Sequence, residues 1–247
     1  MLDVTDAESI AAAQSAVADA VGERGLAGLV NNAGISVAAP MELVPLDELR
    51  RQMEVNLIGP VAVTQAFLPL IRKARGRIVN IGSIGGRIST PVLGPYSASK
   101  YAIEAITDAL RIELRPWGIN VAVVEPGSIA TPIWEKGQGS ADELEAGLTP
   151  EAQAMYAGTI AAMRQAAREA ERRGIPPDAV AKAVAHALTS KRPKTRYLVG
   201  FDARLQAALA TIVPDRLLDR LIASQVKLPK TAPDVATAAG AIEQPAR

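Results

Sequence analysis

The chain has 247 residues, enough for one α/β domain with a sizeable core. Hydrophobic residues make up 49% and charged residues 21%, as in a globular protein, and 27 basic against 26 acidic residues leave a formal charge of +1. That balance lacks the field that nucleic-acid binding needs, and with no cysteine and one histidine, His186, the chain excludes disulfides, thiolate sites and a histidine-rich metal centre.

In chain order, Met1-Leu2-Asp3-Val4-Thr5-Asp6 has no basic segment before an apolar run, so no signal peptide is expected. Ala7 to Val21 reads as a helix, Leu26 to Asn31 as a strand and Pro45 to Arg75 as a helix. The longest mostly apolar run, Ile58 to Ile71, is too short to cross a bilayer, and the absence of cysteine suits a reducing cytoplasm. A strand at Arg77 to Ile81, a helix at Pro95 to Arg115 and a strand at Ile119 to Val124 follow. This alternation predicts an α/β fold with a doubly wound parallel sheet, because parallel neighbours need long crossovers. Strands apolar on both faces fit a sheet covered on both sides.

Beyond Pro126, Gly137-Gln138-Gly139-Ser140 reads as a flexible loop. Thr149 to Arg173 is an Ala-rich helix, and Pro176-Pro177-Asp178 starts another that runs to Thr189. Tyr197 to Val199 fits one more strand, and Asp202 to Ala223 is helical with a break at Pro214-Asp215. Residues 1–226 are expected to form a single domain and 227–247 a disordered tail. His186, on an apolar helix, and Trp117 and Trp134 read as packing residues.

The segment Tyr96-Ser97-Ala98-Ser99-Lys100 carries the strongest chemical signal. Tyr and Lys four apart share a helix face. An ammonium about 5 Å from a phenol, at an effective dielectric near 20, contributes about 3 kcal/mol, or roughly two pK units, toward the phenolate. Alone, such a pair is usually an ordinary surface feature. Ser83 changes the reading: it ends a strand thirteen residues before Tyr96, where ligands of open α/β sheets sit.

With Asn31-Asn32-Ala33-Gly34 after a strand, Asn56 in Val55-Asn56-Leu57, and Pro126-Gly127 after the third strand, the sequence resembles the short-chain dehydrogenase/reductase family. The resemblance implies a Rossmann-like fold and an NAD- or NADP-dependent oxidoreductase. It implies Tyr96 as general acid/base, Ser83 as hydrogen-bond partner of the reacting oxygen, and Lys100 as the group that lowers the Tyr96 pKa and binds the nicotinamide ribose. Asn56 would position a water. Asn31, Ala33 and Gly34 would line the adenosine side, and Pro126, Gly127, Ile129 and Thr131 the nicotinamide end. Asp3 and Val4 match the position beside the adenine, although an acid at a helix start accounts for Asp3 equally well. No metal site is implied.

The resemblance also implies an opening strand, a glycine-rich phosphate turn, a helix and a second strand before Asp3. The expectation is therefore an N-terminally truncated chain without the first β-α-β unit, with Leu26 to Asn31 left as a sheet edge. NAD and NADP cannot be told apart without that unit. Leu205 to Ile222 is similar to the branch that includes retinol and 17β-hydroxysteroid dehydrogenases. It would either shelter a lipophilic secondary alcohol or ketone, or simply pack on the domain or a second subunit. A homodimer or homotetramer is expected, with Ile103, Ile106 and Leu110 facing the partner. The competing reading is a catalytically impaired fold that acts as an oligomerising interaction protein.

Overall fold

In the computed structural model, which describes residues 2–131 and 133–231 and only the backbone of Glu135 and Lys136, four parallel strands form one sheet. They are β1 (Gly28–Asn31), β2 (Arg77–Ile81), β3 (Asn120–Pro126) and β4 (Arg196–Val199), side by side in that order. The register sets Asn31 opposite Asn80 and Ile81 opposite Val124, so the carboxyl ends of β1, β2 and β3 finish together. β1 is an outer strand, and among the described residues no strand pairs with its other edge.

Alternate residues of the central strands feed two cores, because successive side chains point to opposite faces. Ile78 and Val121 meet α1 (Ala7–Val21) through Ile10, and α3 (Gly59–Ala74) through Val63, Phe67 and Ile71. Val79, Ala122 and Val124 meet Ala183, Val184 and Ala187 of α7 (Asp178–Thr189). Both faces are covered, as the apolar strands require. The Asp6 side chain caps α1 by accepting from Glu8 N at 2.9 Å.

The long helix expected from Pro45 is α2 (Leu46–Met53) and α3 joined by a π turn, Glu54–Ile58, with Asn56 at its middle. Leu46–Ala74 spans 29 residues, long and apolar enough by composition to cross a membrane, but Val63, Phe67 and Ile71 are spent on the sheet.

Three expectations change. Gly137 to Ser140 lies inside a helix, α5 (Ile133–Ala146), not in a loop. Arg164 of α6 (Pro150–Arg173) pairs with Asp142 and Glu145 and ties α5 to it, although each helical glycine costs about 1 kcal/mol. Ile103 is buried to 2% exposure within its own subunit, so it cannot face a partner; α4 (Gly94–Glu113) presents Tyr101 and Ile112 outward instead. Lys227 to Thr231 closes α9 (Asp215–Gln225), with Leu228 N donating to Ala223 O and Pro229 against Gly158. The remainder of the expected tail, 232–247, lies outside the described residues. His186 packs, its Nδ1 2.8 Å from the Tyr197 hydroxyl.

Candidate active site

β2 ends at Ile81 and the chain turns at once. Gly82 N donates to Val124 O, and Ser83 caps a single 3₁₀ turn, Ile84–Gly86, its Oγ accepting from Gly85 N at 3.0 Å. Ser83 thus stands at the carboxyl edge of the sheet, where open α/β folds place their ligands. α4 then starts with Pro95 in its first turn, and Tyr96 and Lys100 lie one turn apart on the face toward Ser83. A Cβ added to Gly85 would stand 3.2 Å from Tyr96 Cε1 and 3.4 Å from Ser83 Oγ, so ring and hydroxyl share one small space.

The charge pattern differs from the expectation. Burial pushes the Tyr96 phenol above its ordinary value, and the hydrogen bond from Ser83 only partly offsets this. Lys100 Nζ stands 5.7 Å from the ring centre and is turned to Ile81 O at 2.9 Å. Lys100 is itself 6% exposed, and burial pushes its ammonium down to about 8. That single hydrogen bond leaves two of its three N–H donors for a ligand.

Gly34, exposed, borders the same ammonium: a Cβ there would lie 3.9 Å from Lys100 Nζ and 3.5 Å from Asn56 Oδ1. Ala33 is exposed beside it. Asn56 is almost fully buried, and its amide makes three hydrogen bonds. Its Oδ1 accepts from Ile35 N at 2.8 Å, while Nδ2 donates to Ile35 O at 3.0 Å and to Ser99 Oγ at 3.1 Å. Its side chain thereby holds the strand-end loop in place. Gln52, one turn earlier, does the same through Val37 N and Ile35 O.

Asn31 is buried at the end of β1. Its amide turns inward, donating to Thr64 Oγ1 at 2.9 Å and Asn80 Oδ1 at 2.8 Å. Asp3 is tied locally, its Oδ1 accepting from Thr5 N and Oγ1, and Val4 packs on Gly59.

At the end of β3, Pro126 and Gly127 are half-buried, Gly127 N donating to Val199 O. Ser128 N donates to Asp202 Oδ2 at 2.7 Å, and any side chain on Gly127 would run into that carboxylate. Ile129 pairs with Ile175 and points into the core, so its side chain does not line the site; Thr131 is half-buried at the foot of α5. Sequence reasoning missed Asp202, whose partner is 74 residues away.

Val37 to Glu42 run beside the start of α4. Val92, a β-branched residue at φ 59, accepts from Ala39 N at 2.8 Å through its carbonyl. A left-handed conformation costs such a residue about 1–3 kcal/mol, strain typical of sites that must hold one loop against another. Met41 lies on Gly94, and the Tyr156 hydroxyl of α6 donates to Glu42 Oε1 at 2.6 Å.

The gathered residues fit the ribose–nicotinamide end of a dinucleotide: a buried cation with spare donors, beside an exposed Ala33–Gly34 turn at strand ends. Among known proteins, residues 1–140 match the short chain dehydrogenase family. An NADPH-dependent 3-dehydrocapnine reductase of Ornithobacterium rhinotracheale is 38% identical over 232 residues, covering 92% of this chain and 80% of that protein. Retinol dehydrogenase 16 of Homo sapiens is 39% identical over 226 residues, covering 90% of this chain and 71% of that protein. A short-chain dehydrogenase structure from Streptomyces avermitilis superposes with a TM-score of 0.67 at 30% identity, covering 92% of this chain and 76% of that one. Another from Burkholderia cenocepacia, solved with NADP, gives 0.66 at 25% identity, covering 93% and 78%.

Proposed function

The chain belongs to the short-chain dehydrogenase family and is an NAD- or NADP-dependent oxidoreductase, and we propose that it interconverts a lipophilic secondary alcohol and its carbonyl at Ser83, Tyr96 and Lys100. The observation that carries this reading is the convergence of the Ser83 hydroxyl and the Tyr96 phenol beside a buried ammonium, at the sheet's carboxyl edge.

When bound, the nicotinamide supplies or accepts the hydride. Tyr96 gives its proton to the carbonyl oxygen in reduction and takes it from the hydroxyl in oxidation. Ser83 Oγ, held by Gly85 N, donates to the same oxygen and offsets the charge that develops there. Lys100 offers its two remaining donors to the ribose hydroxyls and keeps positive charge near the phenol. Asn56 and Gln52 hold Ile35 and Val37, and with them the Ala33–Gly34 turn, against the π turn.

Two things support a lipophilic substrate. Met41, exposed beside the start of α4, and the apolar stretch Val92-Leu93 lie close to Tyr96 in sequence and fold. Relatives at 37–41% identity are named as retinol dehydrogenases. The test is turnover of the purified chain with NADH and NADPH against a series of ketones of rising hydrophobicity. Rising kcat/KM along the series is expected; equal or falling values would remove the lipophilic assignment. We also propose a homodimer or homotetramer, with Tyr101 and Ile112 of α4 at the contact. Both are large and exposed, at 46% and 68%. Sedimentation of Ile112→Glu showing the parent's mass would exclude that face.

A further inference from the structure

A fully buried carboxylate, Glu125, sits on β3 immediately before Pro126-Gly127 and follows the apolar run Val121 to Val124. Arg87, the residue that closes the 3₁₀ turn begun by Ser83, grips it with two N–H groups: Nε to Oε2, and Nη2 to Oε1 at 3.0 Å. Arg196 of β4 approaches Glu125 Oε1 at 3.5 Å from the other side. The Arg196 guanidinium also reaches Glu104 at 3.0 Å and Asp108 at 2.8 Å, both on α4. One network therefore joins the Ser83 turn, the helix that carries Tyr96 and Lys100, and the strand that feeds the Pro126-Gly127 loop. The packing between turn and helix is close: a Cβ on Gly86 would stand 2.8 Å from the Lys100 carbonyl oxygen.

None of these five charged groups contacts the reacting atoms. A buried ion pair contributes little net stability against apolar groups of the same volume, so stability alone gives this one no purpose. What a bidentate pair does give is geometry: two parallel hydrogen bonds fix both the distance and the angle between their carriers. Ser83 must stand within hydrogen-bond reach of the oxygen that Tyr96 serves, and a shift on the order of 1 Å in such a group can cost about a hundredfold in rate.

We propose that Arg87 and Glu125 are positioning residues, a strut that holds the Ser83 turn at its working separation from Tyr96, with Arg196 bracing the far end against α4. The proposal rests on the Ser83–Tyr96 reading above.

The strut is absent from the double variant Arg87→Met/Glu125→Gln, which leaves no unpaired buried charge and keeps Arg196 with Glu104 and Asp108. Its kcat is expected to fall at least tenfold. KM for the cofactor should stay within about twofold, because neither residue lines the cofactor end. The pH profile should move as well: the Ser83 hydrogen bond draws the Tyr96 phenol down, so a slack turn shifts the apparent ionisation upward. Ser83→Ala and Tyr96→Phe run beside it. If those two keep the parent rate, the site reading fails; if they lose it while the folded double variant keeps kcat within twofold and the parent's pH profile, the strut is overturned. Should the double variant not fold, Arg87→Lys, which retains one charged contact, takes its place. A three- to tenfold loss of kcat is then expected, and parent-like kcat overturns the proposal.

Discussion

Asn31 and Asn80, paired across β1 and β2, share a hydrogen bond of 2.8 Å that points into the protein and away from the site. Asn80 passes the chain on, donating to Thr107 Oγ1 at 2.8 Å, which in turn donates to Ile103 O. Truncating Asn31 leaves acceptors on Asn80 and Thr64 unserved in a buried place, a cost of about 1–3 kcal/mol. Asn31→Ala should therefore lower stability to denaturant by that amount while cofactor affinity stays within about twofold. A large loss of affinity at unchanged stability would return Asn31 to the cofactor site.

Asp202 carries the opposite expectation. Its carboxylate bonds Ser128 N and fills the space beside Gly127, so it shapes the loop that resemblance assigns to the nicotinamide end. A hydrogen bond to a charged acceptor contributes about 1.5–3 kcal/mol. Asp202→Ala should raise the cofactor KM roughly ten- to a hundredfold if that order is lost from the bound state. Unchanged KM with lower stability would make Asp202 a helix-start residue and nothing more.

Lys100 gives a pH signature. Burial holds its ammonium at about 8, so the charged form that offers donors to a ribose is lost above that point. Cofactor affinity should fall between about pH 7 and pH 9.5, by up to about tenfold per unit beyond the pKa, and Lys100→Met should flatten the curve. The stability sign is separate. Between about 8 and the ordinary 10.5 the unfolded chain holds the proton more tightly, so this group adds stability as pH rises through that window. Calorimetric titration at several pH values measures the first effect, and thermal unfolding the second. A pH-independent Kd would remove Lys100 from the ribose role.

Much of this was legible in the sequence. Ala7 to Val21 and Arg77 to Ile81 read correctly because their periodicity and caps are local, and the shared location of Ser83, Tyr96 and Lys100 at one sheet edge follows from a strand end and a helix spacing that are local too. What spacing could not give were partners far along the chain. Asn31 finds its acceptors 33 and 49 residues away, and Asp202 its amide 74 residues away. Glu125 offered a signal that went unused, since a lone acid within Val121 to Val124 and Pro126 must be paired if the strand is buried. The expected pull of Lys100 on Tyr96 treated two charges in isolation. In the fold, desolvation dominates both groups and a backbone carbonyl claims the ammonium.

Turnover of Tyr96→Phe tests the central claim most directly. The substitution removes one hydroxyl and leaves the ring that packs on Gly85. With NADH or NADPH and a lipophilic ketone, kcat should fall at least about a hundredfold, the range of a lost general acid, with cofactor binding within about twofold of the parent. A Tyr96→Phe chain that reduces the ketone at the parent's rate would contradict the account.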